Sequence, residues 1–115
     1  MMISTIVDGV HLGGRDDLPE AEKKGYKIID VRGFVDWNNS KQENLKSVEM
    51  FARKIHNALS QDKEVYVHCS GGFERSPLVV AYYLYKYRDF ELRDAYKLIT
   101  AIRPDVRERL YLIGM

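Results

Sequence analysis

The residues most able to do chemistry lie together in Val67-His68-Cys69-Ser70-Gly71-Gly72-Phe73-Glu74-Arg75-Ser76-Pro77. Cys69 is the only cysteine of the chain, and Arg75 follows it after five intervening residues, two of them glycines. Glycines allow a tight loop with backbone conformations closed to other residues. Pro77, just after Ser76, reads as the opening of a helix. A strand, a glycine loop and a helix start in succession would turn several unpaired N–H groups onto one point above the sulfur, forming an anion nest. Arg75 would close that nest, because its planar fork can hold two oxygens of a phosphoryl group at once. The same surroundings should lower the pKa of Cys69 and make it a nucleophilic thiolate. A helix end supplies at most ~2 kcal/mol of such stabilisation, so the loop amides and Arg75 have to add the rest. The chemistry pointed to is nucleophilic attack on a phosphate monoester. The competing reading of Cys69 is a buried small hydrophobe, the usual fate of a free cysteine.

The elements that would position these groups can be read on either side. Residues 5–12 carry branched side chains around Asp8-Gly9 and read as one or two short strands. A short helix follows, with Asp16, Asp17 and Pro19 at its start and Gly25 at its stop. Residues 27–31 are a β-branched run and read as a buried strand, and residues 32–42 as a polar irregular loop. Leu45, Val48, Phe51, Ile55 and Leu59 recur at helical spacing. Residues 64–68 are the strand that delivers Cys69. Beyond the loop, the spacing predicts helices from Ser76 to about Tyr87 and from Leu92 to about Ile102, and a last short helix over 106–113. The fold class expected is α/β, a small and mostly parallel central sheet flanked by helices, within a single domain over 1–115. In such sheets ligands bind at the carboxyl ends of the strands, where Cys69 falls.

Composition removes several alternatives. The 115 residues carry 18 Lys and Arg against 17 Asp and Glu, a net charge of +1. No long-range basic field for nucleic acid follows from that balance. One cysteine excludes an internal disulfide and a Cys-rich zinc site. No cofactor or metal is expected. The first eight residues lack the basic and apolar regions of a secretion signal, and the longest apolar run, 78–84, is too short to span a bilayer. A cytoplasmic protein without membrane or nucleic-acid partners is expected, a monomer by default.

His68-Cys69, five residues, then Arg75-Ser76, with Gly72 on the signature glycine, resembles the protein tyrosine and dual-specificity phosphatases. A looser similarity takes in Arg103-Pro104 and the opening Asp8-Gly9-Val10-His11-Leu12-Gly13, as in compact dual-specificity-type domains. The resemblance implies a two-step reaction through a cysteinyl-phosphate. Cys69 would be the nucleophile and Arg75 the phosphate clamp, with a cradle of amides from Ser70, Gly71, Gly72, Phe73, Glu74 and Arg75. His68 would support the thiolate and Ser76 its departure. The general acid of the family is an aspartate on a separate loop. Asp36, in Phe34-Val35-Asp36-Trp37 and 33 residues before Cys69, is the first candidate. Asp30 and Glu43 are the others, and an absent acid is the remaining alternative. The sequence departs from the family pattern here, with scarcely room for the further strand that usually precedes the acid loop. Glu74 either opposes heavily charged substrates or points into solvent. Trp37 reads as a loop anchor or a wall of the cleft. The substrate implied is a phosphorylated protein or peptide. A catalytically weak phospho-binding module and a rhodanese-like sulfurtransferase are the rival functions.

Overall fold

The structure is a computed structural model that describes residues 2–115. Its sheet has four strands: β1 (Ser4–Val7), β2 (Val10–Gly13), β3 (Lys27–Asp30) and β4 (Val65–His68), in the order β1-β2-β4-β3. Gly9, at φ = +81°, makes the turn that sets β1 antiparallel to β2. The other two pairings are parallel, and Gly13, His68 and Asp30 end level with one another. The expected mostly parallel α/β architecture is what the chain adopts.

Central strand β4 is buried along its whole length, so it carries apolar or satisfied side chains on both faces. Val65 and Val67 enter the core on one face. On the other, Tyr66 and His68 stack at 5.6 Å, and the Tyr66 hydroxyl donates to the Gly14 carbonyl. Helix α1 (Leu18–Lys23) starts with the expected proline in its first turn and ends before Gly25.

Helix α2 (Lys41–Ser60) begins at a capping box, with Ser40 Oγ accepting from the Glu43 N–H and the Glu43 carboxylate accepting from the Ser40 N–H. Its buried face runs through Asn44, Val48, Phe51, Ala52, Ile55 and Ala58. Helix α3 (Arg75–Tyr87) packs against both α2 and α4 (Leu92–Ile102) and is buried without a break from Ser76 to Leu84. That enclosure explains its near-continuous apolar run.

One expected element differs. In place of a helix over 106–113 there is only a 3-10 turn, Leu110–Ile113. The residues before it are pulled into other bonds: the Arg107 N–H donates to the Phe73 carbonyl at 2.8 Å, and the Val106 N–H to the Arg103 carbonyl at 3.1 Å. One bond across the chain and one local turn replace those an α-helix would have needed. No helix among the described residues is long and apolar enough to cross a membrane.

Candidate active site

Cys69 stands immediately beyond β4 and is only 3% exposed. Its sulfur lies 3.2 Å from the Ser76 hydroxyl. Burial pushes the thiol pKa up, and this is the largest single influence on it. Hydrogen bonds from the Ser76 hydroxyl and from the backbone N–H groups of Ser76, Gly72 and Glu74 oppose burial and outweigh it, so the pKa lies below the ordinary thiol value. The Ser76 amide is free to serve because α3 has no side-chain cap: the Glu74 side chain, at the N-cap, makes no bond to the helix N–H groups.

The loop that supplies these amides fits its surroundings tightly. Gly72 has φ = +79°, and a methyl group there would sit 2.7 Å from the Gly13 carbonyl oxygen and the Gly14 nitrogen. Only glycine meets both conditions. The Arg15 N–H donates to the Ser70 carbonyl at 3.0 Å.

Arg103 holds the loop from outside. Buried to 7% exposure, it donates from Nε to the Gly72 carbonyl at 2.9 Å and from one terminal nitrogen to the Gly71 carbonyl at 3.2 Å. The other terminal nitrogen reaches the Met2 carbonyl at 2.7 Å and Ser4 Oγ at 3.1 Å. In a trans peptide the C=O and N–H point opposite ways. Arg103 draws the Gly71 carbonyl outward while the Gly72 N–H of the same peptide meets the sulfur. The phenyl ring of Phe73 lies under the same guanidinium, at 4.8 Å. Sequence reading noticed Arg103 only as part of a family likeness. Its one available signal was an arginine directly before a proline at a helix end, which does not reveal what the side chain reaches.

Arg75 spans the mouth of the site. One terminal nitrogen approaches Ser70 Oγ at 3.4 Å and the other Asp36 Oδ2 at 4.0 Å, and the guanidinium lies 5.4 Å from the centre of the Trp37 ring. The structure therefore brings Asp36 to Arg75, the residue expected to clamp phosphate. Its other oxygen, Oδ1, accepts from the Asn38 N–H at 2.8 Å. No strand lies between β3 and this loop among the described residues, as the short sequence implied.

The other two acid candidates are engaged elsewhere. Asp30 is gripped by Arg32, at 2.8 Å to Oδ2 and 3.0 Å to Oδ1, and that hydrogen bonding holds its carboxyl below the usual carboxylate range. Glu43 is the reciprocal cap of α2 described above, and its bonds to Ser40 lower its carboxyl pKa too. His68 is buried, with Nδ1 3.2 Å from the Cys69 carbonyl oxygen and Nε2 3.9 Å from Asp30 Oδ2. Glu74 follows neither expectation: its side chain pairs with Arg109 at 2.6 Å, which compensates its charge within the protein. Trp37 is an anchor, donating from its indole N–H to the Tyr111 hydroxyl at 2.7 Å. Outside the site, His11 bridges Thr5 and Glu64, and His56 stacks on Tyr87. Among the described residues no group of three or more His, Cys, Asp or Glu side chains is placed to hold a metal ion.

Comparison with known proteins decides the family. Residues 12–115 match the family described as "Dual specificity phosphatase, catalytic domain". The chain belongs to that family. It is 30% identical over 79 residues to tyrosine-protein phosphatase MSG5 of Saccharomyces cerevisiae, a match covering 69% of this chain and 16% of the yeast protein. It is 36% identical over 59 residues to dual specificity protein phosphatase 14 of Mus musculus, covering 51% of this chain and 30% of the mouse protein. The matched stretches are thus a minority of both relatives' lengths. In fold, human DUSP28 superposes with a TM-score of 0.79 at 17% identity, over 96% of this chain and 86% of that one. For this member of the dual-specificity phosphatase family, the sequence reading of fold and family holds.

Proposed function

We propose that this domain hydrolyses phosphate monoesters on phosphorylated proteins or peptides through a cysteinyl-phosphate. The observation that carries the reading is the Cys69 sulfur held by the Ser76 hydroxyl and three amides against the cost of its burial, with Arg75 at the mouth of the loop. In the first step the Cys69 thiolate attacks phosphorus as the P–O bond to the leaving group breaks. Arg75 and the loop amides hold the three remaining oxygens and their charge. Asp36 gives its proton to the departing alkoxide or phenolate. In the second step water attacks phosphorus as the S–P bond breaks, Asp36 takes up the water's proton, and Ser76 donates a hydrogen bond to the leaving thiolate. Inorganic phosphate and the free thiolate result. His68 keeps the start of the loop in place from below. A permissive, rather shallow site for phosphotyrosine, with phosphoserine or phosphothreonine as further substrates, suits the short connection of residues 31–40 between β3 and α2. A nucleophile of this kind needs a reducing compartment, for which the cytoplasm is our proposal.

The test is hydrolysis of p-nitrophenyl phosphate across pH 4 to 8 with chelator present, wild type against Cys69→Ser. Turnover that needs no added metal and is abolished in the variant supports the reading. Vanadate binding without turnover would replace it with a phosphate-capturing module, and cyanide-dependent thiosulfate turnover with a sulfurtransferase.

A further inference from the structure

The buried stripe of α2 is apolar except at its first position, which is Asn44. That residue is 1% exposed, and every hydrogen-bonding direction of its amide is used. Oδ1 accepts from the Asp36 N–H at 3.0 Å and from Asn39 Nδ2 at 3.3 Å. Nδ2 donates to the Asp36 carbonyl at 2.9 Å and to the Leu112 carbonyl at 3.0 Å. One side chain therefore fixes both backbone polar groups of Asp36 and ties them to the 3-10 turn at the far end of the sequence. An apolar residue would fill this helical position without such demands, whereas a buried amide is tolerated only when fully bonded.

From this we infer that Asn44 is a positioning residue for the reaction: it sets where Asp36 stands relative to Arg75 and the phosphate. The inference rests on Asp36 being the general acid. Residues 31–40 contain no regular element. A free loop of that kind samples many backbone states, and a proton donor misplaced by an ångström loses most of its effect. With its N–H and C=O both captured, the Asp36 backbone is left little rotation. Trp37 adds a second anchor one residue on, through Tyr111. What remains variable is the Asp36 side chain, and its Oδ1 is itself held by the Asn38 N–H. The free oxygen is the one that faces Arg75.

The test compares kcat/KM for a series of aryl phosphates, from p-nitrophenyl to phenyl, in wild type, Asp36→Asn, Asn44→Ala and the double variant. Loss of a general acid costs about 10²-fold or more on a poor leaving group and much less on a good one. Asn44→Ala is expected to reproduce that selective loss, by about 10-fold or more on phenyl phosphate, and to add nothing to Asp36→Asn. Equal loss along the whole series, or a double variant slowed by the product of the two effects, would overturn the inference. If Asn44→Ala does not fold, Asn44→Asp keeps the shape and the acceptor, removes both donors, and is held to the same outcomes. A second readout needs no turnover. Trp37 is the only tryptophan, and in Asn44→Ala its fluorescence anisotropy should gain a fast component that wild type lacks. An unchanged decay refutes the positioning role. An inactive wild type refutes the phosphatase reading instead, and the anisotropy then decides Asn44 separately.

Discussion

Arg103→Ala should weaken the nucleophile without changing any residue of the loop itself. Its guanidinium makes four hydrogen bonds, two of them to the Gly71 and Gly72 carbonyls. A buried carbonyl that loses its donor costs about 1–3 kcal/mol. Losing the bonds to both loop carbonyls should therefore lower stability by about 2–6 kcal/mol, toward the lower end where water reaches Gly71. The effect on chemistry arrives through the peptide between Gly71 and Gly72. Freed from Arg103, it can rotate, and its N–H then no longer points steadily at the sulfur. A hydrogen bond to a charged group is worth about 1.5–3 kcal/mol, so loss of this one should slow kcat/KM by roughly 10- to 100-fold. The thiolate is destabilised relative to the thiol, so the Cys69 pKa rises and activity falls more at acid than at alkaline pH. Because Cys69 is the only cysteine, the pH dependence of its alkylation by iodoacetamide reads this pKa without interference. Arg103→Lys, a point donor in place of a fork, should fall between the two. A folded Arg103→Ala whose alkylation profile and kcat/KM match wild type within twofold would refute the argument.

Three further outcomes follow from the site. Gly72→Ala places a methyl group 2.7 Å from the Gly13 oxygen at φ = +79°; phosphate-dependent thermal stabilisation should vanish, with the melting temperature itself lowered. Arg109→Ala leaves the Glu74 carboxylate uncompensated at the loop and should weaken vanadate binding several-fold, with Glu74→Gln in the same background restoring it. Finally, the depressed thiol pKa couples folding to pH. The unfolded chain binds the proton more tightly than the folded one, so this contribution is full above the unfolded thiol's pKa. It is lost as pH falls through the folded pKa. Urea titrations should show wild type gaining stability over Cys69→Ala across that window as pH rises, and parallel curves would count against a stabilised thiolate.

Much of this was legible in the sequence because it is local. Strand β4, the loop and α3 are contiguous, so Cys69, Gly72, Arg75 and Ser76 declare their geometry by spacing alone. Periodicity located α2, but its capping box of Ser40 and Glu43 went unread, which is why Glu43 stood as an acid candidate. What the sequence did not disclose are partnerships across long separations. Arg103 to Gly72, Arg109 to Glu74, Trp37 to Tyr111 and Asn44 to Leu112 join residues that only the folded chain brings together. The same cause misled the reading of 106–113. Its composition permits a helix, and a tertiary hydrogen bond from Arg107 to Phe73 decides otherwise.

Those long-range bonds share one end. Arg103, Arg107, Arg109, Tyr111 and Leu112 all lie in the final stretch, and between them they touch the phosphate loop at Gly71, Gly72, Phe73 and Glu74 and the Asp36 loop at Trp37 and, through Asn44, at Asp36. Apart from one 3-10 turn this stretch has no regular structure of its own to lose. Its hold on the core is through Val106, Leu112 and Ile113. Detachment of this stretch would release both loops together while the sheet and α3 stay folded. The temperature at which catalysis fails should thus follow the hold of residues 103–113.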